Sequence, residues 1–305
     1  MAAPVVVLAG GTGGAKLARG MLDVAGGDLV VIANTGDDIE IHGAYVSPDP
    51  DLVTFWLADR IDERGWGLAG DTFIVMDALR EWGDDVWFNL GDRDLALGLR
   101  RARRLAEGAS LTELCAETTA ALGVAARVVP MADAPVRTRV LAGGRWWPFQ
   151  EFMIRRRGEG PVDDVAFDGA AEAAPPAAAL QAIATARAVV IGPSNPVISI
   201  RPILEVPGIA DALRATAAPV VAVSPIVGGE VVKGPTEAFL AWAGLDASAA
   251  GIARAYDGLL DGIVADEDLD PAQELPLLRM DTLMSDAASR RRVAEETLRF
   301  AEALS

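Results

Sequence analysis

The chain has 305 residues, 51% of them hydrophobic and 23% charged, which is the composition of a globular protein long enough to bury a large core. Acidic side chains outnumber basic ones by 44 to 27, and a formal charge of −17 repels nucleic-acid phosphates and anionic lipid surfaces. A single cysteine, Cys115, and a single histidine, His42, exclude an internal disulfide, a thiolate metal cluster, a catalytic triad and a zinc site of several histidines. Any metal is then expected to be a hard ion such as Mg2+, held by carboxylates, carbonyls and substrate oxygens. No apolar run reaches the roughly 18 residues of a membrane-spanning helix. Lys16, the first basic residue, follows the apolar N-terminal stretch instead of preceding it, so no secretory signal is read and a cytoplasmic protein is expected.

Along the chain, Pro4–Ala9 is a short β-branched run that ends in glycines, the pattern of a strand buried on both faces. A helix is expected from Ala15 to about Val24, then a second buried strand over Leu29–Ala33 and a third over Val86–Leu90. Further strands are read at Ala188–Ile191 and Val220–Val223. Helical patterns fall at Thr72–Trp82, Leu111–Leu122, Pro176–Ala186, Gly208–Ala217 and Ser285–Ala303. Alternation of strands and helices predicts an α/β fold, with a Rossmann-like parallel sheet covered by helices on both faces. The rhythm breaks between about 124 and 175. There Ala126–Pro130, Arg137–Ala142 and Arg145–Phe152 read as short strands around a Gly143-Gly144 hairpin turn. We expect one domain, with a core of about 1–123 and 176–305 interrupted by a smaller insertion.

Four motifs follow predicted strands, where ligands of open α/β sheets bind. Gly10-Gly11-Thr12-Gly13-Gly14-Ala15-Lys16 lets backbone N–H groups approach a phosphate at the positive end of a helix. It lacks the Gly-Lys-Ser/Thr of a P-loop and the spacing of the dinucleotide fingerprint. Asn34-Thr35-Gly36-Asp37-Asp38, with Asp49 and Asp51 of the following Ser-Pro-Asp-Pro-Asp stretch, offers carboxylates for Mg2+ or for a hydroxyl proton. Asp37 and Asp51 are the expected functional pair, and Asp38 and Asp49 also suit turn or cap roles. As loop carboxylates, Asp37 and Asp51 are expected to contribute little to the core. Asn89–Asp94 adds Arg93, a candidate for a phosphate or a ring face. Gly192-Pro193-Ser194-Asn195-Pro196 supplies directional hydrogen bonds for a nucleotide. The two lysines, Lys16 and Lys233, both lie in glycine-rich stretches, and His42 follows the Asp pair by four residues. All four motifs are expected on one edge of the sheet.

In order along the chain, these motifs together with Ser224-Pro225-Ile226-Val227-Gly228-Gly229 resemble the 2-phospho-L-lactate transferase (CofD) family of coenzyme F420 biosynthesis. The resemblance implies a transferase. It moves a phospholactyl or phosphoenolpyruvyl group from a guanosine diphosphate-linked donor to the deazaflavin FO, giving F420-0 or its dehydro form and GMP. It also implies Mg2+ on Asp37 and Asp51, deazaflavin contacts from Asp51 and Arg93, and nucleotide contacts from Gly11, Thr12, Gly13, Ser194 and Asn195. Lys16, Asn34, Asp38 and His42 complete the expected substrate site, and a homodimer is expected. The alternative is a nucleotide-sugar-binding regulator of the related gluconeogenesis-factor family. Such proteins carry Asp-Asp-Gly-Gly-Ser-Ser after the second strand, whereas Ile39-Glu40 follows Asp37-Asp38 here.

Overall fold

Five-residue runs such as Val5–Ala9 and Leu29–Ala33 are fully buried, and a strand with no polar face is stable only between two apolar layers. In a computed structural model, which describes residues 2–231, 235–270 and 273–305, these runs form the middle of a parallel sheet. The strands in chain order are β1 (Val5–Ala9), β2 (Leu29–Ala33), β3 (Ile39–Ile41), β4 (Ala44–Val46), β5 (Arg127–Pro130), β6 (Arg137–Ala142), β7 (Arg145–Pro148), β8 (Asp164–Asp168), β9 (Ala188–Ile191), β10 (Val220–Val223), β11 (Ile226–Val227), β12 (Glu230–Val231), β13 (Gly262–Ala265) and β14 (Leu277–Arg279). Seven of them build the main sheet in the order β14-β13-β10-β9-β1-β2-β5, with every pairing parallel. Strand order therefore reverses between β1 and β9, the switch point at which Rossmann-type sheets bind ligands.

Alternation along the strands sends Val6, Leu8, Val30, Ile32 and Val189 to one face and Val5, Val7, Val31 and Val190 to the other. The second face is covered by α1 (Gly11–Ala25), α2 (Pro48–Leu57) and the C-terminal helix Ala287–Ala303. Gly20 lets α1 approach that last helix closely, since a Cβ there would strike the Arg290 carbonyl. The first face is covered by the helices Ala177–Ala184, Ile209–Ala215 and Ala249–Ala255. Outside these layers lie two smaller bodies. One is the antiparallel sheet β7-β6-β8, packed with Phe152 and Phe239. The other is a cap made of the β3–β4 hairpin, α3 (Ile74–Glu81) and α4 (Asp92–Ala106), with Met76, Phe88, Leu90 and Leu95 at its centre.

The expected α/β fold with a parallel sheet is present, and several local readings are corrected. Val86–Leu90 is not a strand. The N–H groups of Val86 and Trp87 bond within the turn to Asp84 and Asp85, and Phe88 and Leu90 bury in the cap instead of the sheet. Arg127–Pro130 is the edge strand of the main sheet, in register from Val30 with Arg127 to Ala33 with Pro130. A proline that cannot donate suits such an edge, and the inserted sheet accordingly begins near Arg137. The glycines after β1 are not a free loop, because α1 begins at Gly11. β13, β14, α2 and α4 have no counterpart among the sequence-derived elements. Lys233 lies outside the described residues.

Candidate active site

At the switch point the chain leaves β1 through Gly10, in an extended conformation, and Gly11, at a φ of 63°. The strand β9 ends beside it. Gly13 lies against the Pro193 carbonyl and Gly14 against the Ser194 hydroxyl, so closely that a Cβ on either residue would collide. The buried Ser194 Oγ accepts from the Gly10 N–H at 3.5 Å. Asn195 Oδ1 accepts from Val197 and Ile198, at 2.9 and 3.2 Å, and so caps the π-helical turn Pro196–Ile200. The amide of Asn195 donates to Thr236 Oγ1 at 3.3 Å. The first and fourth motifs thus pack directly against each other at the switch point, with Ser194 and Asn195 accepting from backbone N–H groups.

The carboxylates gather around Asn34, which is completely buried at the end of β2. Its Oδ1 accepts from the Gly36 N–H at 2.8 Å, which fixes the turn. Its Nδ2 donates to Asp37 Oδ1 at 3.1 Å and to Asp49 Oδ2 at 2.9 Å. The other oxygen of Asp49 accepts from the Gly11 N–H at 2.7 Å. Asp37 and Asp49 are therefore a buried pair bridged by one amide, so the residue that the structure brings beside Asp37 is Asp49, whereas Asp51 points to another partner. Burial and the facing Asp49 hold the Asp37 carboxyl well above the ordinary range. Burial also raises Asp49, against the pull of the Gly11 N–H.

Asp51 sits two residues further, in the first turn of α2, and pairs with Arg101 of α4. Arg101 is almost fully buried and also donates to the Tyr45 carbonyl at 3.1 Å. Asp51 is thus part of the join between α2 and the cap, contrary to the expectation that it adds little to the core. Asp38 is likewise enclosed, accepting from Ser47 at 2.8 Å and Tyr45 at 2.9 Å. Burial pushes its carboxyl up to about 7. It ties the hairpin to the start of α2 and does not join the Asp37–Asp49 pair.

Between the pair and the cap opens a cavity of 480 Å³, lined among others by Asp49, Asp51, Phe55, Trp66, Trp87, Phe88, Asp94 and Gln150. Its outer wall is held by reciprocal caps. Asp92 of α4 accepts from the N–H groups of Ile74 and Val75 at the start of α3, while Asp71 accepts from those of Arg93 and Asp94 at the start of α4. Arg93, the preceding residue, is exposed, whereas Asp94 lines the cavity. Burial, Asp51 and Asp71 raise the Asp94 carboxyl to about 7.

Two expected site residues lie elsewhere. His42, at the hairpin tip with a φ of 52°, bonds through Nε2 to the Phe88 carbonyl at 3.0 Å and supports the cavity wall from behind. The Lys16 ammonium donates to the Met284 carbonyl at 3.0 Å and lies 5.9 Å from the Trp56 ring, in the helical layer. Gly11 is also not an open donor, since Asp49 takes its N–H. Arg101, the aromatic wall and the full weight of Asp49 are additions that the structure supplies. Arg101 is hidden in the sequence Arg100-Arg101-Ala102-Arg103-Arg104, which reads as a solvated face.

A buried pair of like-charged carboxylates suits a small, hard divalent cation, and Asp37 with Asp49 supplies such oxygen donors. Among the described residues, no group of three or more His, Cys, Asp or Glu side chains is arranged to hold a metal. An ion here would be completed by water and substrate oxygens, as Mg2+ tolerates. No helix among the described residues is long and apolar enough to cross a membrane.

The family model described as 2-phospho-L-lactate transferase CofD matches residues 5–298. The chain is 38% identical to the 2-phospho-L-lactate transferase of Methanocaldococcus jannaschii, over 98% of this chain and 99% of the relative. It is 39% identical to the phosphoenolpyruvate transferase of Streptomyces coelicolor, over 98% of each. Among solved structures, a UPF0052-family protein of Bacillus halodurans superposes with a TM-score of 0.64 over 98% of this chain and 99% of that one. At 16% identity that likeness shows the shared fold. The chain is therefore a transferase that belongs to the 2-phospho-L-lactate transferase CofD family.

Proposed function

We propose that the protein transfers a phospholactyl or phosphoenolpyruvyl group from a guanosine diphosphate-linked donor to the terminal ribityl hydroxyl of the deazaflavin FO. The observation that carries this reading is the double position of Asp49. It accepts from Gly11 at the switch point and lines the aromatic cavity, so one carboxylate borders both. A nucleotide diphosphate suits the switch point, at the N-terminus of α1. A planar heterocycle suits the cavity, whose wall includes Trp66, Trp87 and Phe88. The ribityl tail would then run toward Asp49.

In the reaction the ribityl oxygen attacks the phosphorus that bears the three-carbon acid. The bond from that phosphorus to the bridging oxygen breaks, and GMP leaves with the electron pair. The hydroxyl proton passes to a carboxylate of the Asp37–Asp49 pair, of which Asp49 borders the cavity. Asn34 fixes both carboxylates, and the Asp51–Arg101 pair sets the cavity floor. Mg2+, held by Asp37 and Asp49, would neutralise the diphosphate and the charge developing on GMP. The remaining work is positioning. Incubation with FO, Mg2+ and each synthetic donor, followed by mass analysis, should give the phospho-acid adduct of FO and an equal amount of GMP. Absence of both products with either donor would sink the proposal.

A further inference from the structure

Asp94 stands in the cavity wall with one oxygen unaccounted for. Its Oδ1 is buried and has no hydrogen-bond partner among the described residues. The rest of its surroundings are in place. The Leu68 N–H bonds to the carboxyl, and the Asp94 N–H donates to Asp71 Oδ2 at 3.2 Å. The facing charges are Asp51 on α2, Asp71 on the cap loop and Arg64 on the same loop. The Arg64 guanidinium is itself engaged, donating through Nε to Asp62 Oδ1 and stacking 4.3 Å from the centre of the Trp66 ring. A buried acceptor without a donor is costly, and fold stability does not require one here.

The position of Asp94 indicates what supplies the missing donor. Asp49 lines the cavity beside the glycine turn, and Asp94 lines it where α4 meets the loop that carries Trp66. A flat ring lying against Trp66 and Trp87, with its polyol tail directed to Asp49, would place one polar edge at Asp94. With Asp51 and Asp71 close by, that edge is better a hydrogen-bond donor than a carbonyl or an anion. A pyrimidinedione ring has such a donor in its imide N–H, set between two carbonyls.

We propose that Asp94 Oδ1 accepts the imide N–H of the acceptor heterocycle and is the specificity-determining residue for a deazaflavin-type ring. The inference rests on FO as the acceptor. Asp94 therefore selects the ring, while the Asp37–Asp49 pair acts on its tail.

The test is a chemical double-mutant cycle. FO and its imide-N-methylated analogue are titrated by fluorescence into wild type, Asp94→Ala and Asp94→Asn in the presence of GDP and Mg2+. In wild type, methylation should weaken binding roughly tenfold to a hundredfold, because it removes the donor and leaves a buried acceptor unpaired. Asp94→Ala should weaken FO by a similar factor and bind FO and the methylated compound within about twofold of each other. Asp94→Asn keeps a carbonyl acceptor and can keep the Leu68 contact, so it should restore most of the affinity and the sensitivity to methylation. Equal sensitivity to methylation in wild type and Asp94→Ala would overturn the assignment while leaving FO as the acceptor. A wild type that binds GDP but not FO would overturn the acceptor reading, and the role of Asp94 with it. Asp94→Asn, checked for an unchanged melting temperature, keeps the experiment decisive if the alanine variant folds poorly.

Discussion

Replacing Arg101 with methionine isolates the contribution of its pair with Asp51. The guanidinium is 2% exposed and donates to both oxygens of Asp51, whose side chain is 15% exposed. It also donates to the Tyr45 carbonyl at 3.1 Å. Methionine fills much of the same volume but leaves the carboxylate and the carbonyl without their donor. Breaking a buried ion pair from one side typically costs about 3–5 kcal/mol. Asp51 borders the cavity, so water relieves part of the loss and the lower value, about 3 kcal/mol, applies. For 305 residues, an unfolding entropy of about 2.1 cal/mol/K per residue gives about 0.64 kcal/mol/K. The melting temperature should therefore fall by about 5 °C. Asp51→Asn should destabilise comparably, because it leaves a buried guanidinium facing a neutral amide. The double variant should cost less than the sum of the two singles by about 2 kcal/mol or more, since each single variant already breaks the same contact. Thermal and denaturant unfolding of the four proteins measures the cycle. Additive costs, or a melting temperature for Arg101→Met within about 1 °C of wild type, would refute the coupling. A fold-neutral Asp51→Asn would restore the view of Asp51 as a free loop carboxylate.

Gly13→Ala should abolish nucleotide binding and lower stability, because its Cβ meets the Pro193 carbonyl and the two motifs must move apart; GDP titration by calorimetry reads the loss. Asp38 has a folded-state pKa near 7 against an ordinary 3.8, so the native state holds an extra proton between those values. Its contribution is full below about pH 4 and is lost as pH rises to about 7, so the melting temperature of Asp38→Asn relative to wild type should climb across that window. A difference that does not vary with pH would show that Asp38 is not raised. Asn195→Ala removes the cap on the Val197 and Ile198 amides and should cost about 1 kcal/mol of stability, seen as a lower melting midpoint, in addition to weakening GDP. Arg93→Ala, at an exposed position, should leave the melting temperature unchanged and weaken FO roughly tenfold in a fluorescence titration.

Much of this protein is determined locally and can be read from its sequence. The apolar β-branched runs of β1, β2, β9 and β10 bury on both faces wherever they are placed, so they imply a parallel sheet with helical layers. The glycines after β1 and the Ser194-Asn195 turn after β9 imply a ligand at the strand ends, because their backbone demands are local. The roles of the carboxylates are not local. Asp37 and Asp49 become a pair only because Asn34, at the end of β2, reaches across to the first turn of α2. Asp51 becomes an ion-pair partner only because α4 brings Arg101 to it from 50 residues away. Val86–Leu90 has the composition of a sheet strand, yet the cap offers its side chains a nearer apolar core. Short runs and charged side chains take their roles from neighbours distant in sequence, and only the tertiary structure decides which neighbours those are.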